Sequence, residues 1–176
     1  MRKRKSVHLL IVLIAAMTVG CGGRGPQRPS FRSGSEPEVD SAQLALMALN
    51  QHLAQTADQE VRIKAQAQEE QYALYESGAW GHVFDYGNTS GPSPQRGETW
   101  TVHMRVYSLD GKLYSDIIQE MPIGQYELPL AIEASISEWH RGARVRMIAP
   151  WYAAYGMQGK EGVPPYENVI IDFELK

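Results

Sequence analysis

The sequence contains one cysteine among its 176 residues and lacks a long run of apolar residues. A single cysteine cannot form a disulfide bond within the chain. The longest mainly apolar stretch, Val7–Val19, is shorter than the roughly 20 residues that a membrane-spanning helix needs. An excess of positive charge is absent too, because 17 Lys and Arg stand against 20 Asp and Glu. This balance argues against nucleic acid as a partner.

The first 21 residues, MRKRKSVHLLIVLIAAMTVGC, have the pattern of an export signal. Basic residues at 2–5 precede the apolar stretch, and small residues lead to Cys21. The stretch Thr18–Cys21 resembles the lipobox of bacterial lipoproteins, although leucine usually stands at the position of Thr18. The resemblance implies that residues 1–20 are a signal peptide and that Cys21 becomes lipidated. Ordinary cleavage, which would leave a free thiol outside the cytoplasm, is the alternative.

The residues after Cys21 predict an acidic, membrane-tethered protein. Loss of the basic residues at 2–5 would change the net charge from −3 to −7. Residues 21–39 are rich in Gly, Pro, Ser and Arg and predict a flexible tether. Gly22 and Gly23 provide no acidic retention signal, so analogy with other lipoproteins favours the outer membrane, facing the periplasm. The membrane partner would then be reached through the lipid anchor on Cys21.

Residues 40–77 have the composition of a helix, without proline or glycine. Asp40 and Gln43 have the spacing of a capping box, and Gly78 is placed to end the helix as a left-handed C-cap. We therefore predict one long helix, with a break near Thr56–Asp58 as an alternative. Its apolar stripe predicts packing against the chain's own domain, or self-association into a homodimer. The stripe consists of Leu46, Leu49, Leu53, Ala57, Val61, Ala65, Gln68, Tyr72 and Tyr75.

Beyond Gly78 the apolar residues change from a helical period to a period of two. In TWTVHMRVYS, alternate residues from Trp100 to Val106 share one face, which predicts a half-buried strand. Asp110 and Gly111 form a turn signal that joins antiparallel strands. The stretches ARVRMIAP and NVIIDFEL predict two further strands.

The stretch PLAIEASISEWHRG predicts a short amphipathic helix between Pro129 and Gly142. Ile132, Ile136 and Trp139 would form its buried stripe. Strands, one short helix and further strands predict an α+β domain over residues 78–176. In this domain a curved antiparallel sheet wraps around the short helix, and the long N-terminal helix precedes it.

The motifs between Gly97 and Lys176 resemble, in order and spacing, the FKBP-type peptidyl-prolyl cis-trans isomerases. They are RGETWTVHM, LDGKLY, the helix ending in WHRG, RVRMIAP, AYG, GVPP and VIIDFELK. Together with the export signal and the long helix, they make the chain similar to the exported lipoprotein members of that family from Gram-negative bacteria. The resemblance implies isomerase activity on X-Pro bonds. Its partners would be proline-containing segments of unfolded or exported proteins.

The resemblance also implies the roof of a site. Tyr155 of the AYG motif would donate a hydrogen bond to a substrate carbonyl and act as the catalytic residue. The loop up to GVPP would form a flap, with Val163 in its wall. Pro164 and Pro165 would fix the exit of the flap, because proline is tolerated where a strand begins.

The other implied positions depart in part from the family pattern. Met104, Ile132 and Ile171 stand where the family has aromatic residues. Asp116 follows one place later than the aspartate of the family. This loss of aromatics predicts weak catalysis, and an FKBP-like chaperone or binding module without turnover is the alternative. The implied substrate-binding residues are Met104, Tyr114, Asp116, Leu128, Ile132, Val163 and Ile171.

Two further expectations concern cofactors and partners. His103 has no Cys or acidic residue at metal-ligand spacing, and the other histidines are scattered, so we expect no metal site and no cofactor. An envelope assembly component that uses the helix at 40–77 for partner contacts is a third interpretation of the sequence.

Overall fold

The computed structural model describes residues 40–160 and 162–176. The predicted signal peptide, Cys21 and the predicted tether lie outside these residues. Among the described residues, no helix is both long and apolar enough to cross a membrane. The elements are α1 (Ser41–Gln66), β1 (Ala73–Leu74), β2 (Trp80–Asp85), β3 (Thr99–Ser108), β4 (Leu113–Pro122), α2 (Leu130–Glu133), β5 (Arg144–Ala149) and β6 (Val169–Leu175), with 3-10 turns at Ile136–Glu138 and Trp151–Ala153.

The six strands form one antiparallel sheet in the order β1-β2-β5-β6-β3-β4. Alternate residues of β3 and β6 point into the main core, as their period of two predicts. The predicted α+β architecture, a curved sheet around a short helix after a long helix, is confirmed. We call the sheet face that packs on the short helix the inner face, and the opposite one the outer face. The inner-face core includes Val102, Met104, Val106, Ile132, Ile136, Trp139, Val145, Met147, Ile171 and Phe173.

Helix α1 begins as predicted but ends earlier. The Asp40 side chain accepts a hydrogen bond from the amide of Ala42 at 3.2 Å, which is an N-cap. The helix continues without a break to Gln66, so its predicted extension through residue 77 is wrong. Gly78 does have a positive φ of 86°, but it lies in the turn between β1 and β2. There its amide donates to the Tyr75 carbonyl at 3.0 Å.

The early end of α1 has a tertiary cause. Ala73 and Leu74 pair with β2, which requires extended backbone where local composition favours helix. Tyr72 is 7% exposed and packs in a second core with Val61, Ala65 and Ile148. Burial of this aromatic ring and the strand pairing outweigh helix propensities that differ by less than about 1 kcal/mol per residue.

The two halves of α1 have different environments. In the C-terminal half, Ala57, Val61 and Ala65 are buried, and Val61 packs against Ile148 of the sheet's outer face. In the N-terminal half four apolar side chains are 52–65% exposed; they are Leu44, Leu46, Met47 and Leu49. The predicted apolar stripe is therefore buried along only part of its length.

The short helix also differs from the prediction in length. It covers only Leu130–Glu133, with Pro129 at its N-cap, and a 3-10 turn at Ile136–Glu138 follows. Serine and isoleucine in this segment are weaker helix formers than alanine or leucine. The predicted buried stripe is nevertheless confirmed, because Ile132, Ile136 and Trp139 are at most 1% exposed.

Candidate active site

An open groove lies between two segments that the motif order brings together. Residues 126–129, just before α2, form one wall, and residues 154–160, after β5, form the other. The cavity has a volume of about 560 Å³. A salt bridge of 3.6 Å joins Lys160 to Glu127 across it. The groove is thus bounded by a charged pair at one point and by mainly apolar residues elsewhere.

The wall at 154–160 belongs to a loop that closes on itself. The Gly156 amide donates to the Trp151 carbonyl at 2.7 Å, and the Tyr166 amide donates to the Gly156 carbonyl at 3.2 Å. The Trp151 and Tyr166 rings contact edge to face, with centroids 5.0 Å apart. The beginning and the end of the loop are therefore linked to each other through Gly156.

The flap within this loop has a narrow neck at Gly159. A Cβ atom there would lie 2.2 Å from the Val163 carbonyl oxygen, and the residue has a positive φ of 68°. Both facts require glycine. Lys160 and Val163 pair as an isolated bridge, and Pro164 and Pro165 then lead towards β6.

Tyr155 lies on the groove wall, as the AYG motif predicts. Its ring is partly buried and packs against the main core. Its hydroxyl oxygen is shielded from bulk solvent. Tyr155 thus lines the groove while its hydroxyl oxygen is held in a largely apolar setting, where such a group commonly has a hydrogen-bond partner.

The predicted apolar bowl is filled by its own side chains. Met104, Ile132 and Ile171 are at most 1% exposed, and Leu128 and Val163 are 4% and 5% exposed. Of the predicted substrate-binding residues, all of which the structure describes, Leu128 alone joins Tyr155 on the groove wall. The inner face is therefore closed at these positions, and Met104, Ile132 and Ile171 do not line the groove.

Two polar predictions have different outcomes. Tyr114 is partly buried, packs against the main core and donates its hydroxyl to Glu167 at 2.8 Å. This hydrogen bond raises the pKa of Tyr114 above its ordinary value. The placement of Asp116 beside the bowl is wrong, because it pairs with Arg105 and points to the outer face. There it is 2.8 Å from the His103 ring.

The outer face has its own polar network and a smaller cavity of about 240 Å³. Arg146 donates two hydrogen bonds to Asp172, at 2.5 and 2.9 Å, across the β5–β6 pair. Arg105 lies 3.9 Å from the same carboxylate. Because these groups satisfy one another across neighbouring strands, the network stabilises the sheet and is separate from the groove.

The sequence prediction missed one exposed apolar residue of the groove, Met157. Met157 is 55% exposed, and Tyr126 on the opposite wall is 77% exposed. Tyr126 also has a φ of 60°, which is unusual for a residue other than glycine. Met157 lies in the glycine-rich stretch YGMQGKEG, where nothing predicts a buried side chain. This position could have indicated that Met157 is exposed.

The sequence matches no protein-family model and no curated protein sequence. Solved structures do resemble it. FkpA from Escherichia coli superimposes with a TM-score of 0.59 at 20% identity, covering 78% of this chain and 64% of that one. A peptidyl-prolyl cis-trans isomerase from Pseudomonas syringae pv. tomato gives 0.58 at 18% identity, covering 72% and 92%. The chain has an FKBP-like fold.

A third structure agrees with this fold. The N-terminal domain of FKBP42 from Arabidopsis thaliana gives a TM-score of 0.51 at 20% identity, covering 61% of this chain and 91% of that one. The chain spans 64% of the length of the FkpA structure, so the two are not equivalent throughout. At this level of identity the likeness shows the FKBP-like fold, and the chemistry rests on the residues of the site.

The contact of Tyr152 with α1 leads to a prediction of how stability depends on pH. Tyr152 donates its hydroxyl to Asp58 of α1, and burial, together with this hydrogen bond, raises the pKa of Tyr152. Stability from the neutral phenol is complete below the unfolded pKa of about 10 and is lost as pH rises towards the folded pKa. We expect the unfolding free energy, measured in urea at a series of alkaline pH values, to fall less steeply in Tyr152→Phe. Equal slopes would contradict this.

Proposed function

We propose that the protein is a peptidyl-prolyl cis-trans isomerase of low turnover that acts on X-Pro bonds of exported proteins in the cell envelope. The observation that carries the proposal is the placement of the Tyr155 phenol on a groove whose opposite wall contains Leu128 and Pro129. The FKBP-like fold supports it, and one of the similar structures, from Pseudomonas syringae, is named a peptidyl-prolyl cis-trans isomerase.

The reaction requires binding rather than covalent chemistry. Rotation about an X-Pro bond is opposed by a barrier of about 18–20 kcal/mol and takes tens to hundreds of seconds unaided. An acceleration of about four orders of magnitude requires about 5 kcal/mol. The twisted amide has lost resonance and charge separation, so an apolar site that excludes water favours it. A hydrogen-bond donor that holds a substrate carbonyl in place reduces the entropy that is lost when the amide reaches the twisted state.

The groove supplies these elements incompletely. Leu128, Pro129 and Ala154 provide apolar wall, and Tyr155 provides the donor. The prolyl ring would lie between the groove walls instead of entering a deep hollow, because Ile132 is fully buried. Water would therefore be excluded from only part of the amide, which is the physical reason for low turnover.

A binding module without turnover is the second candidate. The observation that favours it is the pair of exposed apolar side chains on the groove, Tyr126 and Met157, which could hold an apolar segment whether or not the prolyl bond rotates. The two functions share the groove and differ in whether the Tyr155 hydroxyl reaches the substrate.

A proline-isomerisation assay on a short X-Pro peptide tests the first function. Tyr155→Phe removes the hydroxyl and keeps the ring, so we expect kcat/KM to fall about tenfold, the value of one hydrogen bond. The control is Tyr86→Phe, at an exposed tyrosine that does not line the groove. A wild-type rate equal to that of buffer would leave the binding module as the function.

We also propose, from the sequence pattern, that residues 1–20 are a signal peptide and that Cys21 carries a lipid anchor to the outer membrane. The basic residues at 2–5, the apolar stretch and the lipobox-like Thr18–Cys21 support this. Cys21→Ala should release the protein from the membrane fraction, since acylation requires the thiol. Continued membrane association of that variant would refute lipidation.

Self-association into a homodimer through α1 is a further proposal. The exposed apolar residues of its N-terminal half, among them Leu46 and Leu49, support it, because such a cluster on one helix commonly marks an interface. Sedimentation equilibrium would distinguish this dimer from a monomer.

A further inference from the structure

Helix α1 is hydrogen bonded to both ends of the loop that carries Tyr155. At the start of the loop, the Tyr152 hydroxyl donates to Asp58 of α1. At the end of the loop, Asn168 donates from Nδ2 to the Glu60 carboxylate at 2.8 Å. The helix thus contacts the segments on either side of the flap, although it lies far from both in sequence.

The contact at Asn168 extends into the loop itself. Its Oδ1 accepts the backbone amide of Trp151 at 2.9 Å, so one side chain connects α1 to the first residue of the 3-10 turn. Asn168 is only 8% exposed, and both functional groups of its amide are engaged. A buried amide that loses a partner is costly, so this bridge is a strong constraint on the position of Trp151.

The geometry of α1 explains how it reaches both ends of the loop. Successive helix residues are turned by about 100°. Asp58 and Glu60 therefore lie on opposite flanks of the buried stripe that contains Ala57 and Val61. Packing of that stripe on the sheet aims one carboxylate at Tyr152 and the other at Asn168. Two acidic residues that appear solvated from their sequence context are thus placed by the packing of the helix.

The constraint on Trp151 is passed on to Tyr155. The Trp151 carbonyl accepts the Gly156 amide at 2.7 Å, and Gly156 is the neighbour of Tyr155. The Tyr152 hydroxyl is held against Gly78, where a Cβ atom would approach it within 2.5 Å. The contacts of Trp151, Tyr152 and Gly156 therefore determine the position and orientation of the groove wall that contains Tyr155.

We propose that Asp58 and Glu60 are positioning residues for the Tyr155 loop, so that α1 contributes to the structure of the prolyl site. The consequence for catalysis rests on the proposed isomerase function. The consequence for the loop does not, because it follows from the hydrogen bonds alone. The two can therefore be tested separately.

The test compares three variants of the full chain. The first is Asp58→Ala combined with Glu60→Ala, which removes both acceptors. The second is Asp58→Asn combined with Glu60→Gln, which keeps an acceptor oxygen at each position. The control is Gln59→Ala, at an exposed site between the two, whose side chain forms none of the hydrogen bonds found in the described part of the chain. All three leave the buried stripe unchanged.

Amide hydrogen exchange, resolved by residue, is the deciding measurement. In the double alanine variant we expect the amides of Trp151 and Gly156 to exchange about tenfold faster, the effect of losing one hydrogen bond. The central β3 and β6 amides should keep their rates, and the amide-bearing variant should restore most of the loop protection. Unchanged loop exchange, or an equal increase in β3 and β6, would overturn the positioning role.

An isomerisation assay on the same variants tests the link to catalysis. We expect kcat/KM to fall in the double alanine variant, to recover with Asn and Gln, and to stay at the wild-type level in Gln59→Ala. Local loop exchange without a fall in kcat/KM would overturn the catalytic part of the proposal. A wild-type chain without isomerase activity would refute the proposed function, and the exchange result would still decide the positioning role.

Discussion

Packing of the segment at 130–139 against the inner face of the sheet is the interaction on which the rest of the structure depends. Ile132 and Trp139 are fully buried, and the Trp139 ring contacts Phe173 of β6 with centroids 5.6 Å apart. Burial of each such side chain contributes about 1.5–3 kcal/mol. The same packing places Leu128 and Pro129 opposite the loop that carries Tyr155. The same packing thus forms the core and positions one wall of the groove.

The completeness of that packing also limits the chemistry. Met104, Ile132 and Ile171 are buried so fully that no open hollow remains at these positions of the inner face. A larger aromatic side chain at these positions could not be accommodated without rearrangement, because protein interiors are close-packed. In the proposed function the groove therefore acts through its walls, which favours binding of an extended segment over complete desolvation of a prolyl amide.

Local signals predicted those parts of the fold that depend on local physics. The alternation from Trp100 to Val106 defines the faces of β3, and Asp40 caps α1, because each depends on neighbours in sequence. Gly78 shows the limit. Its positive φ was predicted, but the same conformation serves a helix end or a hairpin turn. The choice between them depends on the burial of Tyr72 and on pairing with β2, which are contacts distant in sequence.

The candidate site likewise has features that the local sequence predicts and features that depend on contacts distant in sequence. The order of motifs predicted that Tyr155 and Leu128 would meet at one groove. It failed for Asp116, because the register between β3 and β4 shifts after Val106, and a shift by one residue exchanges the two faces of a strand. Hydrogen bonds from α1 to the loop could not be predicted either, since they require knowledge of which helix face is buried.

We propose that the groove between residues 126–129 and 154–160 binds proline-containing segments. The most direct measurement is a residue-resolved NMR titration with a short peptide that contains one X-Pro bond. We expect amide shift changes concentrated in these two segments, including Tyr155. Changes confined to the outer-face cavity around His103 and Arg144, or no changes at saturating peptide, would contradict it.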